Sequence, residues 1–281
     1  MKKILPKITI VTPSYNQGLF IEKTILSIIN QDYPNMEYIV CDGGSTDDTV
    51  RILKKYDQNI TWWCSEKDKG QTDAINKGMK RATGDIVGWI NSDDVLLPGA
   101  LWAVAYFYIN HPKTEFANGY TVEIDKDDRI INFMTTIMSK AFARRGCYNM
   151  SQLGMFWKRT LFDKIGYLDN SFHAQMDVEW LIRVYESGIL VKRINENIGA
   201  IRRYETTKTA QGGEIWRRDS AELRKRYHGL YVPNRNSFIY LLFQACKLFD
   251  GCLFRNRWYK RKYVGKMASE YKENLHYFKR I

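Results

Sequence analysis

Four short runs rich in β-branched and aromatic residues, Ile8–Thr12, Tyr38–Cys41, Ile60–Cys64 and Ile86–Ile90, are separated by segments with helical spacing. Between the first two runs, Ile21, Ile25, Ile28 and Ile29 fall on one helical face; helices follow at about Thr46–Tyr56, with Ser45 or Asp47 as N-cap, and at Thr72–Ala82. None of the four runs alternates cleanly between apolar and polar residues, so each strand is expected to be covered on both faces. Strands of that kind, joined through helices, form a parallel sheet. Ligands bind such sheets beyond the carboxyl ends of the strands. Each run here ends in a polar cluster at that end: Thr12-Pro-Ser-Tyr-Asn16, Asp42-Gly-Gly-Ser45, Ser65-Glu-Lys-Asp-Lys-Gly70 and Asn91-Ser-Asp-Asp94. One such cluster is an ordinary turn, whereas four at one edge of one sheet predict a shared cleft.

The fourth cluster is the most demanding. Asp93 and Asp94 stand between two apolar runs, and adjacent carboxylates repel each other more strongly as their surroundings become less polar. Either the pair lies on a solvated turn, with Asp94 as a helix N-cap before Pro98, or a cation holds it together. Beyond Pro98 the pattern predicts a helix to about Asn110, strands near 115–124 and 130–135 with a turn at 125–128, and a helix over Asp177–Glu186. The stretch 144–164 has no readable period.

With 44% hydrophobic and 14% aromatic residues in 281, the chain can bury a large core, which excludes a disordered protein. The net charge of +12 is segregated: residues from Ala200 onward hold 19 Lys and Arg against 7 Asp and Glu, while the first 199 residues hold 24 of each. The five cysteines are dispersed, without a C-x-x-C pair, and predict reduced thiols in the cytosol rather than a zinc site or disulfide framework. Pro6 and Lys7 end the initial apolar run too early for a signal peptide, and no uncharged run reaches the ~18 residues of a membrane span.

Five segments, taken together and in order, resemble the family 2 glycosyltransferases of the GT-A fold: Ile10-Val-Thr-Pro-Ser-Tyr-Asn16, Val40-Cys-Asp-Gly-Gly-Ser-Thr-Asp-Asp48, Asp73-Ala-Ile-Asn-Lys-Gly78, Asn91-Ser-Asp-Asp94 and Met176-Asp-Val-Glu-Trp180. The resemblance covers roughly residues 5–210. It implies an α/β, Rossmann-like, mostly parallel sheet, with a catalytic domain over 1–231. Residues 1–97 would be its nucleotide-binding half and 98–231 its acceptor-binding half, followed by a basic amphipathic helical extension over 232–281.

The same resemblance implies site roles. A nucleotide sugar leaves as a diphosphate, and a divalent cation, Mn²⁺ or Mg²⁺, held by hard oxygen ligands neutralises the departing charge. Asp93, assisted by Asp94, matches the metal-binding DXD motif; Asn91 replaces its usual first Asp and would turn to the ribose, beside Ser92. Asp42 would accept a hydrogen bond from the ring N–H of uracil or thymine, or else close an Asx-turn. Thr12, Pro13 and Tyr15 would wall the base and ribose, with Asp73 on the same side; Ile75 stands where many relatives have Arg. Asp177 matches the catalytic base and implies inversion, although Asp177 and Glu179 also suit a helix N-terminus. Gln152, Trp157, His173 and Glu179 would border the acceptor, with a core position as the alternative for Trp157. The segment 202–209 resembles a loop that closes over the diphosphate, Tyr204 and Glu205 replacing a family His, with Arg203 or Lys208 near phosphate.

The expected donor is a UDP-sugar and the expected acceptor a glycan or lipid-linked glycan, in surface polysaccharide assembly. The apolar segment 238–249 beside the basic cluster 255–262 suits an anionic membrane surface, giving a cytoplasmic protein peripheral on the inner face. Packing of that segment on the catalytic domain is the alternative. A nucleotidyltransferase would need a Gly-rich, Arg-containing first loop, which the chain lacks. A nucleic-acid-binding protein would place its charge in the site, and no recognised motif accompanies the basic tail.

Overall fold

The computed structural model describes residues 4–135, 137–147, 150–205, 213–228, 230, 238–249 and 252–280. Strands β1 (Ile8–Ser14), β2 (Met36–Asp42), β3 (Trp62–Ser65) and β4 (Ile86–Trp89) lie side by side in the order β3-β2-β1-β4, all parallel. The connections are helices α1 (Ile21–Ile29), α2 (Thr49–Lys55) and α3 (Gln71–Arg81). The α2 start differs from the expected one: Asp48 is the N-cap residue, and Asp47 accepts a hydrogen bond from the Thr49 N–H.

The lack of alternation in these strands has the expected cause. Ile8, Ile10, Tyr38 and Val40 pack with Ile21, Ile25, Ile28, Ile52 and Leu53 of α1 and α2. Val11, Ile39 and Cys41 point to the other face, against Ala74, Ile75 and Met79 of α3. Both faces are therefore covered, and every β1 residue is buried.

The sheet continues past β4 with mixed directions through β8 (Met155–Lys158), β6 (Phe116–Ile124), β9 (Val191–Arg202) and β5 (Val95–Leu96); β7 (Ile130–Phe133) pairs with β6. The pairings β4–β8, β8–β6, β6–β7 and β9–β5 are antiparallel, while β6–β9 is parallel. Helix α4 (Ala100–Asn110) fills the first core from this side. Short helices α5 (Lys140–Ala143) and α6 (Leu161–Ile165) lead to α7 (Met176–Glu186), whose Trp180 joins Trp89 and Trp157 in the second core. The expected GT-A architecture is the one observed.

Among the described residues three further α-helices follow: α8 (Glu214–Arg226), α9 (Phe238–Phe249) and α10 (Cys252–Tyr263). Tyr259, Tyr263 and Tyr271 build a third core with Val122, Ile124, Ile130 and Phe133. Asn274 donates to the Asn197 carbonyl at 2.7 Å, and Asn197 donates to the Tyr271 hydroxyl at 2.8 Å. The C-terminal residues thus strap the mixed end of the sheet. Among the described residues no helix is long and apolar enough to cross a membrane.

Close packing of α3 on the sheet requires Gly78. A Cβ there would lie 2.4 Å from Val11 Cγ1 and 3.3 Å from Cys41 Sγ. Gly78→Ala is expected to destabilise the fold by about 1–3 kcal/mol, outweighing alanine's helix preference of ~1 kcal/mol. Urea denaturation checks this, and Val11→Ala in the same chain should recover part of the loss.

Candidate active site

All four polar clusters meet at the carboxyl edge of β1–β4. They border a cavity of about 520 Å³ that includes Pro13, Ser14 and Tyr15 from the first, Gly43 from the second, Lys67, Asp68 and Gly70 from the third, and Asn91–Asp94 from the fourth. Gln71 and Ala74 of α3 and residues 201–204 at the end of β9 complete the wall. The second cluster makes its turn with glycines: Gly44 has φ +82°, and a Cβ on Gly43 would lie 2.8 Å from an Asp68 carboxylate oxygen.

The turn after β4 is built around opposite charges. Asp94 is 4% exposed. Burial, and then the neighbouring Asp93 charge, pushes its carboxyl well above the ordinary range. Its Oδ1 accepts the Arg202 backbone N–H at 2.9 Å. The Arg202 side chain is wholly buried behind the turn. It donates to the Asp93 carbonyl at 2.7 Å and to the carbonyls of Asp125 and Lys126, pairs with the Asp128 carboxylate at 2.5 Å, and lies over the Phe20 ring. Asp93 faces the cavity, and its Oδ2 accepts from the Tyr204 hydroxyl at 2.8 Å. Asn91 Oδ1 accepts from Gln71 at 2.8 Å.

This donor set suits a hard divalent ion. Two adjacent carboxylates, one raised by burial and then by its neighbour's charge, offer the hard oxygen ligands that a Mg²⁺- or Mn²⁺-type ion would take, with phosphate oxygens and water to complete its shell. Among the described residues no group of three or more His, Cys, Asp or Glu is placed to hold a metal, so the protein would supply these two carboxylates alone.

Several expected contacts are placed elsewhere. Thr12 is fully buried and accepts from the Tyr38 hydroxyl at 3.2 Å, which removes it from the cleft wall. Asp42 is 1% exposed, and its carboxylate accepts from the Ser45 and Ser65 hydroxyls and the Gly44 and Ser45 N–H groups, an Asx-type turn. A nucleobase would have to exchange with one of those hydroxyls. Asp73 does not line the cavity; it accepts the Lys69 N–H at 3.1 Å and fixes the start of α3.

In the second half, Trp157 is fully buried among Trp89, Phe162 and Trp180, so an acceptor contact is corrected to a core role. Glu179 is likewise corrected: it is 1% exposed and held by Arg183 and the Tyr227 hydroxyl. Gln152 sits in a short turn before β8 and is half-buried. Asp177 begins α7, outside the cavity lining, with its Oδ1 accepting the Val178 N–H at 2.8 Å. The loop before it touches the cleft: a Cβ on Gly70 would lie 3.9 Å from His173 Nδ1. Lys208 lies outside the described residues.

Sequence reasoning missed Arg202 and Asp219. Asp219 of α8 accepts the N–H groups of His173, Ala174 and Gln175, and so pins the loop that carries Asp177. Neither has a local signature, since the backbone N–H groups that Asp219 accepts and the groups that Arg202 holds lie more than 40 positions away in the chain. Gln17, Lys67, Asp68 and Gln71 join the cleft by following the strand ends, the signal already present in the polar clusters.

A four-strand parallel unit, extended by a mixed sheet and holding a cleft with an acidic pair at its carboxyl edge, has the GT-A architecture. The chain belongs to glycosyl transferase family 2, which matches residues 9–167. It is 39% identical over 101 residues to the GalNAc(5)-diNAcBac-PP-undecaprenol beta-1,3-glucosyltransferase of Campylobacter jejuni, a match covering 34% of this chain and 33% of that protein. Among solved structures, S. aureus TarS 1-349 in complex with UDP-GlcNAc shares the fold with TM-score 0.61 and 18% identity, over 78% of this chain and 66% of that one. The mannosyltransferase PcManGT from Pyrobaculum calidifontis, in complex with GDP-Man and Mn²⁺, aligns with TM-score 0.56 and 18% identity, over 78% and 62%.

Removing the buried guanidinium should undo the turn. Arg202→Leu leaves three backbone carbonyls without their donor and Asp128 with Lys23 alone, and is expected to cost about 3–5 kcal/mol in urea denaturation. Phe20→Leu, which removes the ring that Arg202 and Tyr204 pack on but keeps the guanidinium, should cost about 1–2 kcal/mol.

Proposed function

We propose that the chain is an inverting glycosyltransferase that moves a sugar from a UDP-sugar to a hydroxyl of a glycan or lipid-linked acceptor. The observation that carries this reading is the convergence of four strand ends on one cleft with Asp93 and Asp94 on its wall. The UDP-GlcNAc bound by TarS and the undecaprenol-linked substrate in the name of the C. jejuni enzyme support the donor and acceptor classes. In the same reading residues 1–97 bind the nucleotide, 98–231 the acceptor, and 232–281 hold the protein at the cytoplasmic face of the membrane.

Asp93, with Asp94 behind it, would hold a Mn²⁺ or Mg²⁺ ion, whose chemistry is to offset charge developing on the departing diphosphate. The remaining work falls to the chain itself. Pro13, Tyr15 and Gly43 wall the nucleotide, with Asn91 and Ser92 toward the ribose. Asp177 takes the proton from the acceptor hydroxyl as its oxygen attacks the anomeric carbon and the bond to the diphosphate breaks on the opposite face. Burial raises the Asp177 carboxyl to about 6, which makes it a stronger base than a solvated aspartate yet ionised at neutral pH. Asp219, by pinning residues 173–175, holds that base in place.

A panel of nucleotide sugars, assayed for donor hydrolysis and transfer with Mn²⁺, tests the reading; no turnover or binding of any UDP-sugar would overturn it. Asp93→Ala should weaken donor binding by about two orders of magnitude, as read by calorimetry. Asp177→Asn should keep donor affinity and lose about 10²–10⁴-fold in transfer rate.

The Asp177 titration gives two pH signatures of opposite sign. Transfer needs the ionised base, so kcat/KM should rise with pH through about 6 and then level. Stability runs the other way. The folded carboxyl titrates above its unfolded value, so its contribution is fully present below about pH 4 and lost as pH rises through about 6. Asp177→Asn should therefore stabilise the protein by about 1–3 kcal/mol at pH 8 and by little at pH 4, measured by denaturant titration.

A further inference from the structure

A second cavity, of about 630 Å³, opens between α9, α10 and the β6–β7 edge of the sheet. Four cations border it: Lys247 from α9 and Arg257, Lys260 and Arg261 from α10. Its carboxylate, Glu123, is already occupied. Arg203 donates to it at 2.6 and 2.8 Å, and the Asn132 amide at 2.7 Å. Among the described residues Arg257, Lys260 and Arg261 form no ion pair with the protein. A concave surface with this excess of positive charge is suited to a multiply charged anion, and guanidinium forks fit phosphate oxygens in particular.

Two neighbouring features narrow the anion. The first is the shared wall: Arg203 lines the cleft at the strand ends, while its partner Glu123 lines the basic groove. The second is apolar exposure on the same two helices. On α9, Phe238, Leu241 and Leu242 share one exposed face, opposite the buried Phe243. On α10, Phe254 and Trp258 are 74% and 50% exposed, one turn apart, opposite the buried Asn256, Tyr259 and Tyr263. On α10 these exposed rings stand among cations, with Lys262 4.7 Å from the Trp258 ring, which matches the boundary between a lipid headgroup and its chain.

We propose that this groove holds the diphosphate of a lipid-linked acceptor, with the lipid running along the apolar faces of α9 and α10 and the glycan directed past Arg203 toward the donor cleft. The proposal rests on the reading of the acceptor as lipid-linked. The cations of the groove then serve recognition of the acceptor, while the acidic turn after β4 serves the donor. It also gives the segregated tail charge a specific ligand in place of general attraction to anionic lipid.

The test uses the full chain and two kinds of phosphatidylcholine vesicle with matched surface charge, one carrying polyprenyl diphosphate and the other phosphatidylglycerol. Flotation should show binding to the diphosphate vesicles about tenfold tighter, and the double variant Arg257→Glu/Lys260→Glu should lose that preference. Arg224→Glu/Lys225→Glu, an equal charge change on the exposed side of α8, should keep it. Equal binding of the wild type to both vesicles at matched charge, or equal loss of preference in both variants, would overturn the proposal. UDP-sugar affinity with Mn²⁺ is measured in parallel and should be unchanged in both variants. If no UDP-sugar binds while the vesicle preference persists, the donor assignment fails and the groove stands.

Discussion

A buried guanidinium beneath two carboxylates is the interaction on which the rest of the structure depends. Asp93 and Asp94 repel each other, and Asp94 is almost without solvent. Arg202 opposes that repulsion from behind through its backbone N–H, its side-chain bond to the Asp93 carbonyl and its charge. The same side chain holds the Asp125–Asp128 turn, and Asp128 also pairs with Lys23 of α1 at 2.7 Å. Three elements distant in sequence are thereby fixed to one turn. The arrangement leaves one direction for further positive charge, the cavity side, where Asp93 meets Tyr204. A buried ion pair of this kind contributes little net stability, but removing one partner is costly, so its main effect is to fix geometry.

The parts of this arrangement that were legible in the sequence are those carried by local pattern. The β1–β4 unit was readable because β-branched runs and helical spacing both act within a few residues. The cleft was readable because each strand ended in polar residues. β9 was not: its segment, Val191-Lys-Arg-Ile-Asn-Glu-Asn-Ile-Gly-Ala-Ile-Arg202, mixes charged and apolar residues, and its pairing with β6 shifts register near Tyr120. β8 has only four residues within the stretch 144–164. Charge misled most where it is buried. Arg202 read as part of a basic loop and proved fully enclosed, while Glu179 read as a site residue and is held by Arg183 and Tyr227. Such roles depend on partners supplied by folding, which a linear pattern does not display.

The second half of the chain shows how stability and the proposed chemistry oppose each other. Asp177 has only the local N–H groups of Val178 and its own backbone facing it, and burial outweighs them to raise its carboxyl to about 6. Asp219, by contrast, accepts three backbone N–H groups, and these outweigh its burial to hold its carboxyl below the ordinary range. One aspartate is a fixed anion that orders the loop, and the other, the proposed base, is kept partly desolvated. Two carboxylates of the same type acquire different tasks from the number of donors facing them.

Charge segregation follows the same logic on a larger scale. The first 199 residues are neutral overall, with 24 Lys and Arg against 24 Asp and Glu. The tail attaches mainly through uncharged side chains: Tyr259, Tyr263 and Tyr271 fill the third core, and Asn256 donates to the Phe133 carbonyl at 3.1 Å. Those contacts leave Arg257, Lys260 and Arg261 outside the packing that anchors their helix. A tail needed only to close the end of the sheet would be as well served by neutral or mixed charge on its outer side. The concentration of cations there, beside exposed Phe254 and Trp258, therefore points outward to an anionic, partly apolar ligand rather than inward to the stability of the fold.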